Sequence, residues 1–137
     1  MKKQLMTVFF GILLLMTACG KNTPDAVDES LPTGTILVTG TFTSNAHPTS
    51  GTVKIIQDAT GKKHLLFENF RSDNGPRLKV WISPNNNASP YQEIGALKAV
   101  TGNFSYELEL SANHMTNNRV LIWCEPFSVL FGHAVLQ

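Results

Sequence analysis

The sequence predicts an all-β fold, a single-domain antiparallel β-sandwich or partly closed barrel, on three observations. Apolar residues from Thr35 onward recur with period two rather than 3.6. Turn-forming clusters separate the short apolar runs by about 8 to 12 residues. No run of about ten residues carries the apolar stripe of a surface helix.

Each element follows from this alternation. Thr35 to Phe42, Thr52 to Gln57 and His64 to Phe70 are the first three strand candidates. Leu78, Val80 and Ile82 then alternate with Arg77, Lys79 and Trp81. Phe104, Tyr106, Leu108 and Leu110 alternate with Ser105, Glu107 and Glu109, the pattern of a strand with one face in the core and one in water. Arg119 to Cys124 and Phe127 to Leu136 complete the set. Between them, Asp58-Ala59-Thr60-Gly61, Ser72-Asp73-Asn74-Gly75-Pro76 and Pro84 to Pro90 are rich in residues that turn the chain. Glu93 to Val100 is the one place for a helical turn, weakened by Gly95 and by the β-branched Val100 and Thr101.

Ahead of this domain the chain changes character. Lys2 and Lys3 precede an apolar run from Thr7 to Leu15. That run is shorter than the roughly 20 residues a bilayer-crossing helix needs, and it has the form of an export signal. Met16-Thr17-Ala18-Cys19 then resembles a bacterial lipobox, with Met16 where leucine is usual. Residues 1–18 are therefore expected to be a cleaved signal peptide, with Cys19 the lipid-bearing first residue of the mature chain. The expected location is the cell envelope, outside the cytoplasm, on the outer membrane. Residues 19–33, with Pro24, Pro32 and few large apolar side chains, are expected to form a flexible tether. A coil of that length spans on the order of 20 Å. The folded domain is then 34–137.

Charge narrows the partners. The chain has 11 Lys and Arg against 10 Asp and Glu, and loss of Lys2 and Lys3 with the signal leaves 9 against 10, a net charge of −1. A nucleic-acid binder carries a basic stripe that neutralises phosphates, so no nucleic acid is expected. Attachment to the membrane is expected through the acyl chains, which contribute about 0.8 kcal/mol per buried methylene.

Few constellations carry chemistry. Zinc sites built on paired cysteines, and haem attached through Cys-x-x-Cys-His, need motifs that are absent. A blue-copper site needs one cysteine, two histidines and a weak axial methionine. Cys124 is followed by His133, but the nearest methionine, Met115, lies upstream beside His114. No metal site is assigned. The Gly-x-Ser-x-Gly elbow of serine hydrolases is absent, and Glu107 and Glu109 fit a solvated strand face better than a glycosidase pair. The chain reads as a protein that is not an enzyme by itself.

Cys124 remains, in phase with the apolar Val120 and Ile122. A cysteine in that setting is commonly a small buried hydrophobe. With Cys19 lipidated it also has no partner in an oxidising compartment, which marks it as a reactive thiol or a ligand. Trp123 is expected in the core. Trp81, facing away from Leu78, Val80 and Ile82, and Tyr91, beside the Asn-rich loop, are candidates for an exposed binding surface.

Several segments together resemble the DM-thirteen electron-transfer domain: Gly40-Thr41-Phe42 with His47 and Ser50-Gly51-Thr52, Leu65 to Phe70, Asn74-Gly75-Pro76-Arg77 through Ser83, and Val120 to Ala134. The likeness runs from about Thr39 to Leu136. It implies an all-β extracytoplasmic domain, often accompanied by cytochrome-type domains. It also implies electron transfer through the cysteine matched by Cys124, either as a bare thiol or as a ligand to haem or a metal. His47 matches a recurrent histidine, and Arg77 stands where the family commonly has an acid. The expected function is a redox role centred on Cys124, with His47 or His133 beside it and a redox protein as partner. The alternative is a surface module that binds a protein or glycan through Tyr91, Trp81 and the Asn85 to Asn87 loop.

Overall fold

A computed structural model describes residues 23–137. The expected signal peptide and Cys19 lie outside the described residues. Among the described residues there are nine strands and no helix: β1 Val27–Asp28, β2 Thr35–Ser44, β3 Thr49–Gln57, β4 Lys63–Ser72, β5 Leu78–Ser83, β6 Gln92–Ala96, β7 Thr101–Leu108, β8 Arg119–Cys124 and β9 Val129–Val135. They form one nine-stranded sheet in the order β1-β7-β4-β3-β2-β9-β8-β5-β6. All pairings are antiparallel except β1 with β7. The all-β expectation holds, with one parallel pair added.

β2 turns the sheet onto itself. Its residues Thr35 to Thr41 pair with β3, whereas Phe42 to Ser44 pair with Ala134, His133 and Gly132 of β9. The inner faces of the two halves then meet in one core. One half supplies Val53, Ile55, Leu65, Phe67, Phe70 and Phe104, and the other Leu78, Val80, Ile82, Val120, Ile122 and Phe131. Phe67 is central: it stacks on Phe104 at 4.8 Å and on Phe42 at 5.5 Å, and meets Phe70 edge-on at 5.2 Å. Such pairs add about 0.5–1.5 kcal/mol each beyond the area they bury.

The edges of the curled sheet are tied by Tyr106. Its hydroxyl donates to the Ala96 carbonyl at 2.8 Å and accepts from the Lys98 N–H at 2.9 Å, linking β7 to the end of β6. Burial pushes this phenol above its ordinary value, so it stays a donor.

Four expectations are corrected. Glu93 to Val100 holds no helical turn; Gln92–Ala96 is strand β6, paired with β5 across a bulge at Val80/Trp81. Gly95 makes a helix costly in backbone entropy, and pairing with β5 supplies the backbone partners instead. The strand expected to reach Leu110 ends at Leu108, leaving Leu110 fully exposed, and the last strand begins at Val129 rather than Phe127. The expected tether is docked from Thr23 onward. Val27 and Asp28 pair with Gly102 and Asn103, and Glu29 accepts from Lys98 Nζ at 2.8 Å and from the Ser105 N–H at 3.0 Å. Composition signals only the poor burial of this segment, and its backbone and carboxylate bonds stand in for an apolar face. Gly102 permits the docking, because a Cβ there would overlap the Val27 carbonyl.

At the β3–β4 turn, Asp58 accepts from the Thr60 hydroxyl at 2.6 Å and from His64 at 2.7 Å. The Thr60 hydroxyl first, and His64 next, hold its carboxyl far below its ordinary 3.8. The carboxylate's support is therefore present above pH 3.8 and lost as pH falls toward the depressed value. Asp58→Asn should lower the urea midpoint at pH 7, by an amount that shrinks progressively as the pH is taken below 3.8. Tyr106→Phe should destabilise the fold by about 1–2 kcal/mol in urea denaturation, since both of its hydrogen bonds are lost.

Candidate functional site

The site grows out of the end of β8. Alternation puts Val120, Ile122 and Cys124 on the inner face and Leu121 and Trp123 on the outer. Cys124 is the last residue of its strand, opposite Leu78 of β5 and Val129 of β9, with its side chain at the rim of the core. Its Sγ lies 3.5 Å from the Pro76 carbonyl, to which the thiol donates a weak bond, and only 1% of the residue is exposed. Cys124 forms no disulfide with any described residue.

The thiol lines a cavity of about 300 Å³ with His47, Asn74, Gly75, Pro76, Phe127, Val129 and Phe131. Two connections build its mouth, the Ser72 to Arg77 stretch before β5 and the Glu125 to Ser128 turn after β8. Arg77 and Ser128 sit in these connections at φ of 46° and 51°, a left-handed conformation uncommon in residues with a Cβ. The two connections touch: the Arg77 carbonyl accepts from the Glu125 N–H at 3.4 Å, and the side chains pair at 3.8 Å. Arg77 thus meets the carboxylate of Glu125.

His47 reaches the cavity from the β2–β3 connection. Its ring stacks on Phe131 with centroids 3.8 Å apart, and its Nδ1 lies 3.0 Å from Asp73 Oδ2. A carboxylate accepts only, so Nδ1 is the donor to Asp73, and when the ring is neutral its basic nitrogen is Nε2. Asp73 was missed in the sequence, because 26 residues separate it from His47 and no spacing signals the pair.

His133 does not join this site. Its neighbours Gly132 and Ala134 face inward, so its own side chain takes the outer face, opposite Leu121, with Nδ1 2.7 Å from Asn45 Oδ1. Burial, then the charge of Arg119, pushes its pKa down. Of the two histidines, His47 lines the cavity with Cys124 and His133 does not.

The aromatic candidates form a separate cluster on the outer face. Trp81 does point away from the main core, as expected, but it is 5% exposed rather than open. Tyr91 stacks on it at 3.7 Å, Trp123 lies at 5.1 Å, and Ala88 and Leu121 complete the cover. Trp123, expected in the core, belongs to this outer layer and is partly exposed. Adjacent strand residues take opposite faces, and Cys124 holds the inner one. Tyr91 is half exposed, as its place beside the loop suggested. The loop itself is folded down: Ser83 Oγ donates to the Pro90 carbonyl at 2.8 Å, and Asn85 Oδ1 accepts from the Asn87 N–H at 2.8 Å. A larger hollow at the opposite end of the sheet, lined by Thr60 to Lys63 and Glu107 to Ser111, holds no thiol or histidine.

The donor set decides what Cys124 could hold. Among the described residues no three of His, Cys, Asp or Glu are placed to hold one metal ion, whereas protein-held zinc or copper takes three or four ligands. One thiol and one imidazole already turned to Asp73 do not fit a metal. A haem needs only one thiolate, but a macrocycle cannot reach a 1%-exposed sulfur beneath Pro76 without displacing a wall of the cavity. The arrangement fits a bare thiol.

A family model described as Electron transfer DM13 matches residues 41–136. No curated protein and no solved structure matches the chain.

Tyr91→Ala should uncover the Trp81 indole while leaving the main core intact. Tryptophan emission is expected to move to longer wavelength with an unchanged far-ultraviolet circular dichroism spectrum.

Proposed function

This chain belongs to the Electron transfer DM13 family, and on that premise we propose that Cys124 is its redox-active group. In this proposal the protein sits in the cell envelope, on the outer membrane, lipid-anchored at Cys19 after removal of residues 1–18. With Cys19 acylated, Cys124 is left unpaired and exchanges electrons with a redox protein partner. The observation that carries the proposal is the cavity that brings the Cys124 thiol and the His47–Asp73 pair to one place.

The residues have separable tasks. In the proposed step one electron passes from the Cys124 thiol to the redox partner and the proton to Nε2 of His47, which lines the same cavity, leaving a thiyl sulfur that the reverse transfer restores to the thiol. Asp73 fixes the His47 tautomer and stabilises the imidazolium formed when the proton arrives. Phe131 holds the imidazole by stacking, and Val129, Phe127 and Pro76 keep the walls apolar. The Pro76 carbonyl orients the S–H.

Alkylation of the mature lipoprotein in detergent tests this. A small neutral reagent is expected to modify Cys124 in the native state, and His47→Ala to slow the reaction several-fold at pH 7. Modification only after denaturation would overturn the proposal. A visible absorption band in the purified protein would overturn its bare-thiol form.

A further inference from the structure

The strands place the Cys124 cavity at one end of the sheet, where β2, β4 and β8 finish and β3, β5 and β9 begin. The described chain also enters at that end. Asn74, a cavity residue, donates from Nδ2 to the Thr23 carbonyl at 3.0 Å and to Asp25 Oδ1 at 3.2 Å. The Pro24 carbonyl accepts from the Val100 N–H at 3.0 Å, and Thr23 is 8% exposed. The first described residue is thus pinned beside the mouth of the cavity.

Four peptide links join Thr23 to Cys19, and in any conformation they span at most about 14 Å. Strand β2 alone has 10 residues, so the far end of the sheet lies roughly 30 Å away at about 3.3 Å per residue. The exposed Leu110 and Met115 are at that far end, and Phe127, 69% exposed, is the large apolar side chain on the loop at the cavity mouth. From these lengths we infer that the cavity end is docked on the bilayer surface, with Phe127 in the headgroup region and the opening turned toward the membrane. This rests on the lipid anchor proposed above.

The orientation comes from the short leash rather than from a membrane-binding patch. Asp25, Asp73 and Glu125 outnumber Arg71 and Arg77 around this end, so anionic lipid has no net basic surface to attract it. One aromatic side chain adds little by itself. The consequence is a partner class: a thiol facing the bilayer exchanges electrons with a membrane-resident redox group, and a soluble carrier in the surrounding medium is shielded from it.

The test is depth measured on the full mature lipoprotein in phosphatidylcholine vesicles. A nitroxide is attached at Phe127→Cys or at Met115→Cys, each in a Cys124→Ser background, and its collisions with oxygen and with a water-soluble nickel chelate are compared. The position 127 label should meet the nickel chelate several-fold less often than the position 115 label; equal access overturns the inference. As a second measurement on the unsubstituted chain, iodoacetate, a small reagent whose charge keeps it out of the bilayer, should modify Cys124 at least tenfold more slowly in vesicles than in detergent, and equal rates overturn it. Mass spectrometry separates the failures. Without an acyl group on Cys19 the anchor and this orientation fall together, whereas an acylated protein with equal access at both positions overturns the orientation alone.

Discussion

The core exists because β2 leaves one partner for another. Up to Thr41 it pairs with β3, and from Phe42 it pairs with β9, so a single sheet bends until its two inner faces meet. Gly40 makes the bend possible at close range. A Cβ there would stand 2.6 Å from the Val135 carbonyl oxygen, inside any tolerable contact. Phe42, two residues on, enters the core at the bend and packs against both Phe67 and Phe70. Without the change of partner the apolar faces of β3-β4-β7 and β9-β8-β5 would each lie open to water.

The same bend determines where chemistry can occur. With the sheet curled, the connections after β2, β4 and β8 come to one end, and His47, Asp73 and Cys124 arrive there from three separate parts of the chain. Cys124 is buried because its strand alternates inward, yet it lines a cavity because the strand stops at that residue. Glu125-Pro126 ends the ladder, and the turn to β9 leaves room beside the sulfur. On the other face, the same alternation sends Trp123 outward to join Trp81 and Tyr91, separating the aromatic layer from the thiol by the thickness of the sheet.

Docking of Thr23 to Glu29 adds a second constraint. Asn74 bonds the entering chain with its side-chain nitrogen while its neighbours Gly75 and Pro76 form the cavity wall. The N-terminal segment and the site are thereby neighbours at one end of the sheet, joined through Asn74.

Period-two alternation made the strands legible, because side chains on a half-buried strand must divide between core and water. It located the inner face of β7 and β8 and the inward course of Cys124. Edges were harder: β6 carries Gly95 and a weak pattern, and its partner across the sheet, not its own residues, makes it a strand. Residues 23–29 looked like a tether for the same reason, since composition registers buried apolar area and not hydrogen bonds lent by Asn74, Lys98 and Ser105. The sequence by itself determined the fold class, the face of Cys124 and the likeness to its family, all of which depend on local alternation and ordered motifs. Only the tertiary structure decided that His47 and not His133 shares the cavity with Cys124, and that Asp73 fixes its ring. Those contacts join residues far apart in the chain, and the curl of the sheet alone sets which of them meet.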